Sequence, residues 1–205
     1  SPATYASLAS ALLRLEWLTR RIPLDAPWQA KNAAELDRQT LGDWMRRNLR
    51  NRHAWSIFQA ATDAVFAAHP DDISLLHALF YLRSSDGINK LTSSDNGAQQ
   101  DRVEAGMQGL AETWQEQLAG AGVEFVLGEP ARTVEQSGDP VRVDTDHASH
   151  QARRLICTLP PALIPEIDFR PALPDERHQW CEGLPPGRVI KCFAVYDQPF
   201  WRDRG

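Results

Sequence analysis

The sequence predicts an α+β fold, and three observations predict it. Through much of the chain before Ser84 apolar side chains recur at helical spacing. Between Val123 and Thr158 short runs of alternating or β-branched residues take their place. The run GRVIKCFAVYDQPFW, Gly187 to Trp201, then reads as one further apolar strand, with Val189, Ile190, Phe193, Val195 and Tyr196 as core candidates. Helices, a small sheet and a return strand place that last segment in a different structural layer from the sheet before it.

Tyr5, Leu8, Leu12 and Leu15 recur at three and four residues and predict an amphipathic first helix. Pro23 and Pro27 force the extended segment RIPLDAPW. Thr40 followed by Asp43 has the form of a capping box and opens a short helix carrying Leu41, Trp44 and Met45. A third helix covers His53 to Ala68. Pro70 and Asp71 end it and start another, with Leu75, Leu76, Leu79, Phe80 and Leu82 as its apolar surface. From Ser84 to Gly106 the chain turns polar and loses periodicity, the mark of a long functional loop. Met107, Leu110, Trp114 and Leu118 define one more helix, closed by Gly120 and Gly122. Strands are expected at Val123 to Leu127, Ala131 to Glu135, Val141 to Asp144 and Arg154 to Thr158. Ser137 and Gly138 supply a hairpin turn, and Pro160 and Pro161 break the last strand.

With 205 residues, 42% hydrophobic and 24% charged, the chain can bury a core as one large domain or two small ones. Its 22 basic against 27 acidic residues give a net charge of -5, which argues against nucleic acid as a partner. The cluster Arg46, Arg47, Arg50 and Arg52 reads as the solvated face of a helix that buries Trp44 and Leu49. No apolar run approaches the ~18 residues of a membrane helix, and the N-terminus lacks a signal-peptide pattern, so a cytoplasmic location is expected. Three cysteines, Cys157, Cys181 and Cys192, show no CxxC spacing and read as reduced, mostly buried thiols. His147 and His150 in DTDHASH read as a solvated turn, and no metal is expected. Gly120-Ala121-Gly122 follows a helix rather than a strand, so it is a helix stop and not a dinucleotide fingerprint. No GxSxG, HExxH or P-loop sequence occurs.

Lys191 stands out because a lone ammonium inside an apolar strand is costly unless something uses it. Two readings stand at this point: a side chain that snorkels to the surface from a sheet edge, or a buried lysine with a chemical role. Tyr81 and Gln99 flank the polar loop. Each has a structural reading, Tyr through its ring and Gln through a backbone hydrogen bond.

RIPLDAPWQA (Arg21 to Ala30), SSDNGAQQDR (Ser93 to Arg102), LICTLPP (Leu155 to Pro161) and PPGRVIKCFAVYDQPFW (Pro185 to Trp201) together resemble the flavin-containing monoamine oxidases, in the same order and at similar spacing. The similarity covers nearly the whole chain. It implies the middle of such an enzyme, without the GxGxxG loop that grips the FAD diphosphate or the later flavin-binding segment. On that basis residues 1–103 are the first, mainly helical part of the substrate domain, 104–180 a helix and small sheet of the FAD domain, and 181–205 the start of a second substrate-domain segment.

Position by position, the resemblance makes Lys191 the lysine that holds a water against flavin N5, where a fixed cation stabilises the charge of reduction. Ala131 and Thr158 fall at cofactor-binding positions. Ala64, Val65, Tyr81, Thr92 and Gln99 match the substrate cavity and its entrance. Ala61 and Ala64 are smaller than in some relatives, which implies a roomier cavity. RVEAGMQGL departs from the glycine pair usual near the flavin.

The implied reaction takes a small-molecule amine to an imine and then an aldehyde, with FAD as cofactor and O2 reduced to H2O2. Alternatives are an amino-acid or polyamine oxidase of the same fold, or a catalytically silent binding or structural module. The chain alone is expected to hold no FAD tightly and to show no activity, and apolar patches make a homodimer of it possible.

Overall fold

The computed structural model describes residues 1–190 and 192–204. Lys191 therefore lies outside the described residues. The chain divides into two compact units, Ser1–Arg102 with Gly187–Gly205, and Val103–Pro186.

The first unit is helical: α1 Pro2–Thr19, α2 Ala33–Arg38, α3 Leu41–Asn48, α4 Arg52–Phe66, α5 Leu75–Ser84 and α6 Ile88–Thr92. Its helices begin where the sequence supplies caps. The Thr40 hydroxyl accepts from the Asp43 N–H at 3.0 Å, and the Asp43 carboxylate accepts from the Thr40 N–H at 3.2 Å, completing the expected capping box. Asn51 accepts from the Ala54 N–H at 3.0 Å, and Ser74 from the His77 N–H at 3.3 Å. Two backbone bonds, Leu41 N–H to Ile73 and Leu75 N–H to Gln39, each 2.8 Å, tie the start of α3 to the start of α5.

One core joins α1, α3, α4 and α5 through Ala11, Leu15, Leu41, Met45, Phe58 and Leu79. Leu79 is wholly buried, and burial of such a side chain contributes about 1.5–3 kcal/mol. The predicted long loop is interrupted by the short helix α6 and by turns in which Ala98 donates to the Lys90 carbonyl at 2.9 Å.

The second unit holds α7 Gly106–Gly120, strands β1 Ala131–Glu135, β2 Val141–Thr145, β3 Ser149–Ala152 and β4 Asp168–Arg170, and α8 Asp175–Glu182. The strand order is β3-β2-β1-β4. β1 pairs antiparallel with β2, placing Val134 opposite Val143, and parallel with β4, placing Val134 beside Phe169. Val134 is accordingly the buried strand residue. Cys181 of α8 and Ile164 are the other buried side chains of this unit among the described residues.

Three expected strands do not form. Residues 123–127, 154–158 and the described part of 189–196 run without strand pairing, and their apolar side chains are exposed, Ile190 at 92% and Val195 at 96%. A continuous apolar run signals burial, but a strand exists only where a neighbour takes its N–H and C=O groups. The sheet's own edges are β3 and β4, of four and three residues. The periodicity of α7 did predict a helix, yet none of its residues is buried, and Trp114 is 63% exposed. The expectation of mostly buried thiols needs correction as well. Cys181 is buried, whereas Cys157 and Cys192 are exposed.

Candidate functional site

The helices of the first unit leave a cavity of about 230 Å³ beside their core. Its wall is a helical stripe on α4, with Phe58, Thr62 and Val65 at four- and three-residue steps and Ala61 and Phe66 next to them. Leu8 and Leu12 of α1, and Leu91 and Thr92 of α6, complete it. The lining carries no charged residue.

Its two threonines are polar in name only. The Thr62 hydroxyl donates to the Phe58 carbonyl at 3.0 Å and the Thr92 hydroxyl to the Ile88 carbonyl at 2.8 Å, each one turn back along its own helix. What they offer the cavity is chiefly their carbon atoms. Among the described residues no buried side-chain nitrogen or oxygen lacks a hydrogen-bond partner, and apart from the two threonines and the exposed Asn89 the lining is apolar.

Of the residues singled out from the sequence, Val65 and Thr92 line this chamber directly. Tyr81 stands one ring behind it, tilted against the lining residue Phe66 at 5.0 Å between centroids. Gln99 is also one step removed, its side-chain amide donating to the carbonyl of the lining residue Leu91 at 3.4 Å. Ala64 is exposed and is not part of the lining. Ile57, Phe58, Thr62 and Leu91 are lining residues that the sequence reading did not name, Leu91 falling in the segment read as a polar loop. Their helical spacing was visible, but an apolar stripe against a cavity has the same spacing as one against a neighbouring helix.

In the second unit Ala131 borders a groove of about 360 Å³ on one side of the sheet, with Val126, Val141, Val143 and Leu155 around it. The Glu129 carboxylate at its rim accepts from the Thr145 hydroxyl at 2.7 Å and lies 3.7 Å from His150 Nε2. Thr158 is exposed and stands outside this groove.

Residues 2–205 match the family profile described as flavin containing amine oxidoreductase. The chain belongs to this family. Within the amine oxidoreductases it is 37% identical over 196 residues to the Mycobacterium tuberculosis protein named "Putative flavin-containing monoamine oxidase AofH", covering 94% of this chain and 42% of that protein. It is 30% identical over 205 residues to the flavin-containing amine oxidase A of Equus caballus, covering 100% of this chain and 38% of that one. The chain thus spans less than half the length of the curated relatives it matches.

Among solved structures, cyclohexylamine oxidase from Brevibacterium oxydans superposes with a TM-score of 0.71 at 25% identity, over 85% of this chain and 38% of that one. A putrescine oxidase variant superposes with a TM-score of 0.78 at 24% identity, over 100% of this chain and 45% of the other, and shows the shared fold. The four sequence motifs lie within the matched residues 2–205, and among the described residues no helix is long and apolar enough to cross a membrane.

Proposed function

We propose that this chain supplies the substrate chamber and part of the flavin-binding surface of an FAD-dependent amine oxidase. The observation that carries the reading is the uncharged chamber on α4, in a chain whose family is defined by amine oxidation. A second ammonium or a carboxylate placed there would meet no opposite charge, so the lining favours a monoamine with an apolar body over a polyamine or an amino acid. An apolar cavity of roughly 150 Å³ is enough to admit benzene. The 230 Å³ found here therefore admits a ring with a short alkyl arm.

The groove at Ala131, with apolar Val126, Val141, Val143 and Leu155 facing polar Glu129, Thr145 and His150, has the size and mixed lining to take one end of a dinucleotide, and Ala131 is the residue we assign to hold that part of FAD. FAD, when bound, supplies the two-electron acceptor. The substrate loses two electrons and two protons across its C–N bond to give an imine. Water then hydrolyses the imine to an aldehyde, and O2 takes the two electrons and two protons to give H2O2. The chamber's part is to orient the apolar body and exclude water from the reacting carbon. Lys191 is assigned the fixed cation of the site, Thr158 a flavin-proximal turn, and Tyr81 and Gln99 the support of the lining residues Phe66 and Leu91.

The test is peroxide release with benzylamine and with putrescine by the flavin-loaded protein that contains this chain, alongside Lys191→Met. Turnover of benzylamine, weak turnover of putrescine and a slower Lys191→Met variant are expected. Preference for putrescine would overturn the substrate reading, and full activity of Lys191→Met would overturn the role given to that lysine. The 205-residue chain alone is expected to lose flavin on gel filtration, because Thr158 lies outside the Ala131 groove and the two do not form one site.

A further inference from the structure

The returning segment is clamped to the end of the helix that lines the chamber. α4 terminates at Ala67 in the left-handed conformation, φ 51°. The Arg188 N–H donates to the Ala67 carbonyl at 2.8 Å. Gly187 lies so close to this turn that a Cβ on it would stand 2.8 Å from the Ala67 Cβ and 3.1 Å from the Ala67 oxygen. The contact needs a residue without a side chain at position 187, although its φ is not in the left-handed region. Val65 and Phe66, both lining residues, are the last residues of α4 before this cap.

We infer that Gly187 is a positioning residue for the oxidase reaction. By letting the backbone at 187–188 dock on the α4 cap, it sets the register between the chamber wall and the segment whose sequence carries Lys191. A docking that depends on one backbone bond and one close approach is sensitive to a single added methyl group. The inference rests on the role proposed above for Lys191, three residues along the chain from Arg188.

The experiment compares Gly187→Ala with the double variant Gly187→Ala/Ala67→Gly, in which the Cβ that the new methyl would meet has been removed. Both are made in the flavin-loaded protein that contains this chain. Two quantities are read: amide exchange at Arg188, and kcat against KM for the amine.

Gly187→Ala is expected to speed Arg188 exchange and to lower kcat about ten- to a hundredfold at little changed KM, as a misplacement near 1 Å does. The double variant is expected to recover both. Normal kcat in Gly187→Ala despite faster Arg188 exchange would overturn the positioning role. So would a folded double variant that regains Arg188 protection without regaining kcat, and this arm holds if Gly187→Ala alone fails to fold. Full activity of Lys191→Met in the same assay would instead mark a failure of the underlying reading, leaving the exchange result at Arg188 to stand on its own.

Discussion

Asp71 fills the space that a side chain on Gly42 would need: a Cβ at Gly42 would collide with Asp71 Oδ1. The same oxygen accepts from Arg46 Nη2 at 2.8 Å, and that nitrogen also reaches Asp43 Oδ1 at 2.9 Å. A glycine inside α3 thus admits the carboxylate that joins the helix to the turn at Pro70–Asp72.

The consequence for stability is a coupling between the two positions. In an Asp71→Ala background, Gly42→Ala is expected to stabilise the chain by about 0.5–1 kcal/mol, the ordinary helix preference of alanine over glycine. With Asp71 in place that gain is lost or reversed. Denaturant unfolding of the four proteins of the cycle measures it, and additive effects would show that the two residues do not compete for the space.

Acid should weaken this cluster in a defined direction. The hydrogen bond from Arg46 is the main cause holding Asp43 and Asp71 below the ordinary aspartate value of 3.8, with the Thr40 N–H and hydroxyl adding to it at Asp43. Arg46 in turn is held above its usual range, first by Asp71 and then by Asp43. Folded values lower than unfolded ones mean that the contribution is fully present above pH 3.8 and fades as pH falls through the depressed values. Arg46→Met is therefore expected to flatten the loss of unfolding midpoint below about pH 4, and added salt to shrink the difference, since the groups are at the surface. Asp144 and Asp146, lowered mainly by Ser149 and Arg132, are left intact in the variant and do not enter the difference. Parallel acid profiles of the two proteins would contradict the assignment.

Removal of the capping box is expected to be felt beyond α3, because Thr40 and Ser74 also form a backbone bridge. Thr40→Ala should cost about 1 kcal/mol and Thr40→Ser only a fraction of that. Equal losses in the two variants would show that the hydroxyl contributes nothing and that the β-branched side chain matters instead.

The chamber can be probed without any cofactor. Benzylamine is expected to raise the melting temperature of the 205-residue chain in a concentration-dependent way, through binding to the folded state alone. Ala61→Phe, which puts a ring into the 230 Å³ space, should abolish that shift. An undiminished shift in Ala61→Phe would place the binding elsewhere.

Much of the first unit was legible because its helices are amphipathic and α3 carries an explicit cap at Thr40, whereas the caps Asn51 and Ser74 were not read and α5 begins at Leu75 rather than at Pro70. The sheet was less so. β1 and β2 were readable from Ala131–Glu135 and Val141–Thr145, whereas β3, with the sequence SHQA, has no apolar alternation to betray it, and α8, DERHQWCE, buries only Cys181. Conversely, VEFVL and RLICT look more strand-like than either, since composition reports a wish for burial and says nothing of where hydrogen-bonding neighbours lie. In the chamber, Val65 and Thr92 are legible through the resemblance, while Phe58 and Thr62 have the spacing of any core-facing stripe. The clamp at Gly187 had no signal in a single sequence, because a glycine demanded by a neighbour's Cβ looks like any other.

The described residues of 189–196 carry exposed apolar side chains and no strand pairing, a pattern expected to favour association of the chain with itself. An exposed apolar run is a surface on which a second copy can stack, and VIKCFAVY has the β-propensity and low charge that such stacking favours. By its place in the sequence Lys191 is the one charge within that window, and so acts as a gatekeeper whatever it does for catalysis. Lys191→Met then removes two things at once, the cation and the interruption. Loss of soluble yield in that variant, set beside the charge-preserving Lys191→Arg, separates a sticky protein from a slow enzyme.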